Sequence, residues 1–388
     1  MSTAKESNLK DEIEPLRNRE LAEPIEELIR LLSQSKRAFL LGAGCSKCAG
    51  IPLMEELTQK VLEALTTDKK TNMILQELIK QFDGGKDCTI EDYMSELIDL
   101  ISIADRRKLR SAKTATIPIG NQSYSVSELH DALTKIKEKI GMTITQCKVR
   151  IHHHRQFVRA IHDRLQSGKP EANGPVDYFT LNYDTVLEDA LSLQRVSVAD
   201  GFTGGATGWW QADAYRDPNV YARVFKLHGS VDWCLLEDDV LPSRVRYGLE
   251  DDEPREPVLI WPASTKYCEA QRDPFAQILA IMRKELHPMK NRPVVLAIAG
   301  YSFGDSHINY ELDRCLRESD GHLTILAFTN ADSPDGLLAN WLSDADVKKD
   351  VRIYAKRGFY HPDGHIESKL DLPWWKFEVL VRLLGGDR

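Results

Sequence analysis

Three short segments carry the residue types able to do chemistry, and they occur in a fixed order. They are Gly42-Ala43-Gly44-Cys45-Ser46 with Gly50-Ile51-Pro52, then Thr180-Leu181-Asn182-Tyr183-Asp184, then Lys226-Leu227-His228-Gly229-Ser230. In the first, glycines allow a tight turn and close approach of backbone to a ligand, and a following helix would offer N–H groups to a pyrophosphate. The third glycine of the G-x-G-x-x-G fingerprint is missing from its expected place, so dense packing of the turn is the competing explanation. Asn182 and Asp184 lie just beyond an apolar run, where open α/β sheets bind their ligands. Asn182 can orient a ribose or a water, and Asp184 can hold the loop or a ribose hydroxyl. Local turn capping by both is the alternative. His228 ends another apolar run and titrates nearest neutrality, which makes it the default general base, with Gly229 allowing close approach.

The elements that must position these residues are legible as apolar patterns. Arg37–Leu41 is a short apolar run ending in glycines, as a buried parallel strand should be. Further strand-like runs are Val176–Leu181, Val224–Leu227, Val258–Trp261, Val294–Ala299, Leu323–Phe328 and Val351–Tyr354. Most alternate with helical segments such as Ser306–Arg317, which predicts an α/β core with a mainly parallel sheet. Leu21–Leu32 and Leu53–Leu65 have helical spacing, and Trp374–Leu384 forms a last helix. Residues 70–168 show helical signals, at Ile90–Ile103 and Ser127–Ile140, around a loop or small hairpin at Ser111–Ser125. The expected organisation is an N-terminal helical segment (1–35), a core (36–69 and 169–388) and a helical insertion (70–168). Asp200–Trp210 reads as a glycine-rich loop and Glu250–Glu256 as an acidic one.

Composition narrows the function classes. Of 388 residues, 28% are charged and 42% hydrophobic, ordinary for a soluble globular protein. No apolar run reaches the roughly 18 residues a membrane helix requires, and the N-terminus is polar, so the cytoplasm is the expected location. The net charge of −8 argues against nucleic-acid binding by this chain alone, although Arg106–Arg110 and Lys148–Arg159 are locally basic. The seven cysteines suit reduced thiols. Only Cys45 and Cys48 have metal-like spacing, and a structural zinc needs a second pair, so no metal is expected. His152-His153-His154 is read as non-ligating, because adjacent helical residues point in different directions. His361-Pro362-Asp363-Gly364-His365 is read as a turn, and Trp209-Trp210 as a lid, an interface or core packing.

Taken together the motifs resemble the sirtuin family of NAD-consuming enzymes. Gly42-Ala43-Gly44-x-Ser46 with Gly50-Ile51-Pro52 is similar to its NAD-binding signature. Thr180–Asp184 resembles its Thr-Gln-Asn-Ile-Asp motif, with Leu181 in place of glutamine, and His228 matches its catalytic histidine. Ala299-Gly300-Tyr301-Ser302 and Thr329-Asn330 fall where that family contacts the phosphate and adenosine parts of NAD. The resemblance, over about residues 37–60 and 176–330, implies a Rossmann-like, mainly parallel sheet with a helical insertion. It implies Asn182 and His228 as catalytic residues. It also implies Gly42, Ala43, Gly44, Ser46, Ile51, Asp184, Gly300, Ser302, Thr329 and Asn330 as NAD-binding residues.

The departures point to a branch. Deacylases of the family carry a zinc ribbon of two C-x-x-C pairs after the histidine, whereas Cys234, Cys268 and Cys315 are unpaired in sequence. Ile90–Tyr93, Asp200–Phe202, Gly229–Trp233 and Gly300–Asn309 resemble the sirtuin-like NAD hydrolases of bacterial anti-phage defence. That resemblance implies NAD cleavage to nicotinamide and ADP-ribose and a HerA-type hexameric ATPase as partner; a homo-oligomer is expected because amphipathic helices outside the core need their apolar faces covered. The alternatives are protein deacylation or ADP-ribosyl transfer, and an NAD-sensing or nucleic-acid-processing subunit.

Overall fold

The computed structural model describes residues 12–34, 36–82, 87–110, 116–164, 174–236, 239–245, 256–263, 265–287 and 293–385. The chain forms two compact units. The first contains the described residues up to Gly50, Val149–Val258 and those from Asp273 onward; the second contains Ile51–Lys148 and Leu259–Arg272. The chain passes from the first unit to the second at Ile51 and returns to the first at Val149. Most of the expected acidic loop, 250–255, lies outside the described residues.

The first unit is built on a nine-stranded sheet. Its strands in chain order are β1 (Lys36–Leu41), β2 (Val176–Thr180), β3 (Val198–Ala199), β4 (Ala222–Lys226), β5 (Val294–Ala299), β6 (Leu323–Phe328), β7 (Val351–Ala355), β8 (Gly358–His361) and β9 (Gly364–Glu367). Their spatial order is β9-β8-β7-β6-β5-β1-β2-β4-β3. Pairing is parallel from β7 through β3 and antiparallel only at β7–β8 and β8–β9. The sheet is therefore mainly parallel, as the alternation of strands and helices predicts. Central strands are buried along their whole length, which explains why β5 reads Val-Val-Leu-Ala-Ile-Ala without polar alternation. Phe39, Phe157, Tyr178 and Phe377 pack together in the core on one side, with Phe39 and Tyr178 ring centroids 5.5 Å apart.

The chain leaves β1 toward β2 and β4 on one side, and β5 and β6 later add on the other. The order reverses beside β1, and a crevice opens beyond strand carboxyl ends at such a point. Pairing brings those ends level: Lys226 faces Thr180, Thr180 faces Leu41, and Leu41 faces Ala299. With adjacent strands about 4.8 Å apart, Gly42, Asn182, His228 and Gly300 all issue from one edge.

The opposite edge is tied by charge. Lys36 and Arg223 pair with both Asp177 and Glu285, at 2.5–3.2 Å. Burial alone would raise the Glu285 pKa, but hydrogen bonds from Arg223 and Lys36 outweigh it and hold the carboxyl at about 2. The folded value lies below the unfolded one, so this stabilisation is present above about pH 4.5 and is lost as pH falls through about 2. Glu285→Gln should cost about 1–2 kcal/mol at pH 7 after solvent screening, and little at pH 2. Urea melts at the two pH values check this; equal losses at both would contradict it.

The second unit is helical. Met54–Leu65, Lys69–Gln81, Ile90–Leu109 and Val126–Thr145 surround a hairpin of Ile117–Ile119 with Gln122–Tyr124. Ser125 and Glu128 close a capping box at the start of the last helix, as do Thr89 and Asp92 at Ile90. Asp200–Trp210, expected as a loop, holds an antiparallel hairpin of Phe202–Gly204 and Thr207–Trp210. Its glycines mask a strand pattern in which Trp210 is buried and Trp209 is 57% exposed.

Candidate active site

The glycine turn after β1 is shaped by packing. A Cβ on Gly42 would stand 2.4 Å from the Gly300 carbonyl oxygen, and one on Gly44 2.8 Å from the Gly300 Cα. Gly300 has φ +64°, and a Cβ there would lie 2.4 Å from the Cys45 nitrogen. The amides of Gly42, Gly44 and Cys45 bond to the carbonyls of Ala299, Gly300 and Gly42. Those three N–H groups serve the fold. A short helix, Ala43–Lys47, follows at once, and the expected helix starts later, at Met54. Ala43 is exposed, while Ile51 is buried and opens the second unit. Gly300→Ala combines overpacking with an unfavourable backbone, and about 2–4 kcal/mol of stability should be lost. An unchanged denaturation midpoint would remove this packing account.

Cys45 and Cys48 act as thiols. Cys45 Sγ donates to the Ala299 carbonyl (3.2 Å) and Cys48 Sγ to the Cys45 carbonyl (3.3 Å). Burial pushes the Cys45 pKa well up and that of Cys48 to about 12.

Asn182 is held from two sides. Its amide donates to Thr180 Oγ1 (3.1 Å), and its Nδ2 donates to the hydroxyl of the buried Ser46 (2.9 Å). Its Oδ1 is buried and has no hydrogen-bond partner among the described residues. An unpaired buried acceptor costs about 1–3 kcal/mol, so its retention points to a ligand or water. Asp184 does what the loop-holding alternative describes. Its Oδ1 accepts from the Val186 amide (3.0 Å) at the start of a helix, and its carbonyl accepts from Lys226 Nζ. Lys226 also pairs with Glu188 at 3.2 Å, and both are buried. Burial pushes the Glu188 pKa up to about 7, against the pull of Lys226. Lys226 is thus a post joining the Asn182 loop to β4, a role its place before His228 does not reveal.

His228 is 4% exposed and leaves β4 just before Gly229, whose φ is +78°. Its Nε2 lies 3.2 Å from Nε2 of His307, which is equally buried. His307 belongs to the helix Ser306–Glu318, whose Ile308, Leu312, Cys315 and Leu316 face the core. The loop before it is knitted by Tyr301 Oη donating to Asn309 Oδ1 (2.9 Å) and Asn309 Nδ2 donating to the Phe303 carbonyl (2.7 Å). Asp305 stands at the N-cap position of this helix without a side-chain capping hydrogen bond, and its carboxylate joins the two histidines, the three ligand atoms lying within 4.8 Å of one another. Sequence reasoning missed His307 and Asp305. Their only signal was membership in the Gly300–Asn309 segment.

The remaining expected residues are more dispersed. Ser302 and Asn330 are exposed, and Thr329 Oγ1 accepts from the Ala331 amide (3.1 Å) in a turn after β6. The structure brings together Gly42, Gly44 and Gly300, joins Ser46 to Asn182, and ties Asp184 to β4. In the His152–His154 run, His154 packs on Phe377 (centroids 4.8 Å apart). Burial lowers its pKa to about 4, against the opposing field of Asp184. No helix among the described residues is long and apolar enough to cross a membrane.

Residues 176–348 match the family model of the SIR2-like domain. No curated protein is similar in sequence. Among solved structures, the chain is similar to a Sir2 homologue in complex with NAD, at 12% identity and TM-score 0.44, covering 92% of each chain. It is similar to a Sir2 homologue mutant bound to ADP-ribose, at 13% identity and TM-score 0.40, over 92% of this chain and 94% of that one. A Sir2 enzyme structure on mechanism and regulation aligns at 11% identity and TM-score 0.40, over 93% and 94%.

Proposed function

We propose that this chain is an NAD glycohydrolase, cleaving the nicotinamide–ribose bond of NAD with water. The observation that carries the reading is the Asn182 carboxamide. It is anchored through Nδ2 to Ser46 and presents a buried, unpaired Oδ1 beyond β2, in register with the strand that delivers His228. The SIR2-like match and the sirtuin-type motifs support NAD as the substrate of this reading.

Bond cleavage passes through a cationic, oxocarbenium-like ribose. The bonding pair leaves with nicotinamide, whose ring nitrogen is already cationic, so no strong general acid is needed. Water attacks the anomeric carbon, and the proton it loses passes to His228. Asn182 Oδ1 accepts from that water or from a ribose hydroxyl and fixes its direction. The turn after β1 and the loop after β5 shape the floor, with Ala43, Ser46, Gly300 and Ser302 assigned to the nucleotide. Thr329 and Asn330 are assigned to its adenosine end, and Asp184 to holding the loop.

We place this activity in anti-phage defence, as NAD depletion by a homo-oligomer joined to a HerA-type ATPase. Exposed Met73, Ile103, Leu109 and Met142, all on the insertion, are the contacts we assign to assembly. Incubating the purified chain with NAD, alone and with a candidate ATPase, should release nicotinamide and ADP-ribose in equal amounts. Absence of nicotinamide in both arms overturns the reading.

A further inference from the structure

His228 and His307 are 79 residues apart, yet their Nε2 atoms face one another at 3.2 Å in a buried setting, with the Asp305 carboxylate beside them. Two histidines and one carboxylate are a common donor set for a divalent transition metal. The spacing suits one: with metal–nitrogen bonds of about 2.0–2.1 Å, two nitrogens on a tetrahedral zinc stand about 3.3 Å apart. An Asp305 carboxylate oxygen and one ring nitrogen of each histidine lie within 4.8 Å of one another, an excess of at most about 1.5 Å that one side-chain torsion can close. His307 and Asp305 are presented from the start of one helix and His228 from a strand end pinned by Lys226. All three therefore rest on rigid elements.

We infer that His228 Nε2, His307 Nε2 and the Asp305 carboxylate form a site for a zinc-like divalent cation, and that its occupancy silences the enzyme. The silencing rests on the glycohydrolase reading. A metal on His228 Nε2 takes the lone pair that ring presents there, and adds two positive charges beside a histidine that serves a cationic transition state. The other metal-like groups are poorer. The Cys45 and Cys48 thiols are held protonated, and His154 is packed on Phe377.

Cobalt(II) is the probe, because its visible d–d absorption reports coordination without any need for activity. Chelator-treated full-length protein should take up one equivalent with tetrahedral-type bands, and zinc should displace it. His307→Ala and Asp305→Asn should each weaken cobalt binding at least about tenfold, while the double variant His361→Ala/His365→Ala should bind as the parent does. Circular dichroism checks folding, and Asp305→Asn, half-buried and isosteric, covers the case in which His307→Ala does not fold. Absence of the bands, or equal affinity in parent and Asp305→Asn, overturns the site. In the same samples zinc should suppress nicotinamide release and chelator should restore it; release unaffected or raised by zinc overturns the silencing. If no nicotinamide is ever released, the glycohydrolase reading fails, while the cobalt spectra still decide the site.

Discussion

Replacing His228 by alanine is expected to lower nicotinamide release by about 10²–10⁴-fold, the usual contribution of a positioned general base. The side chain is buried, leaves a central strand just before a glycine of positive φ, and touches His307. No other histidine among the described residues leaves the carboxyl edge of a parallel strand in this way. The fall should appear in kcat with KM little changed, because the proton moves only in the transition state. The measurement belongs on chelator-treated protein, so that bound metal does not mimic the loss. Turnover near the parent value in a folded variant would remove His228 from the reaction.

Asn182→Ala is the second large effect. Removing the carboxamide leaves the attacking water or the ribose undirected, and misplacement of about 1 Å can cost 10²-fold in rate. Asn182→Asp separates orientation from shape. It keeps the size but loses the N–H that donates to Ser46, and it puts a negative charge in a buried loop. Ser46→Ala should act in the same direction and more weakly, since one hydrogen bond of about 1 kcal/mol then fails to hold the amide. If Asn182→Ala released nicotinamide at the parent rate, Oδ1 would be an ordinary buried acceptor. The water-orienting role would then fall while the His228 test stood.

The sheet was legible because its central strands are buried on both faces and so run as continuous apolar words. Val294–Ala299 and Leu323–Phe328 match their sequence limits residue for residue. The weakly alternating, glycine-bearing hairpin at Phe202–Trp210 was not legible, because its pattern is set by which tryptophan meets the core. The second unit shows the same limit: helical periodicity located helices such as Ile90–Leu109, but which residues cohere as a unit depends on long-range contacts.

What the sequence by itself determined is the set of polar residues that end apolar strands: the glycine turn after Leu41, Asn182 after Thr180 and His228 after Lys226. Strand direction and the chemistry of these side chains are local properties. Only the tertiary structure decided that Lys226, Thr180, Leu41 and Ala299 stand level, and that Gly300 packs on Gly42 and Gly44. It alone decided that Ser46 grips Asn182 and that His307 meets His228. Each of these is a contact between residues far apart in the chain, fixed by strand register and close packing, and composition and periodicity are blind to both.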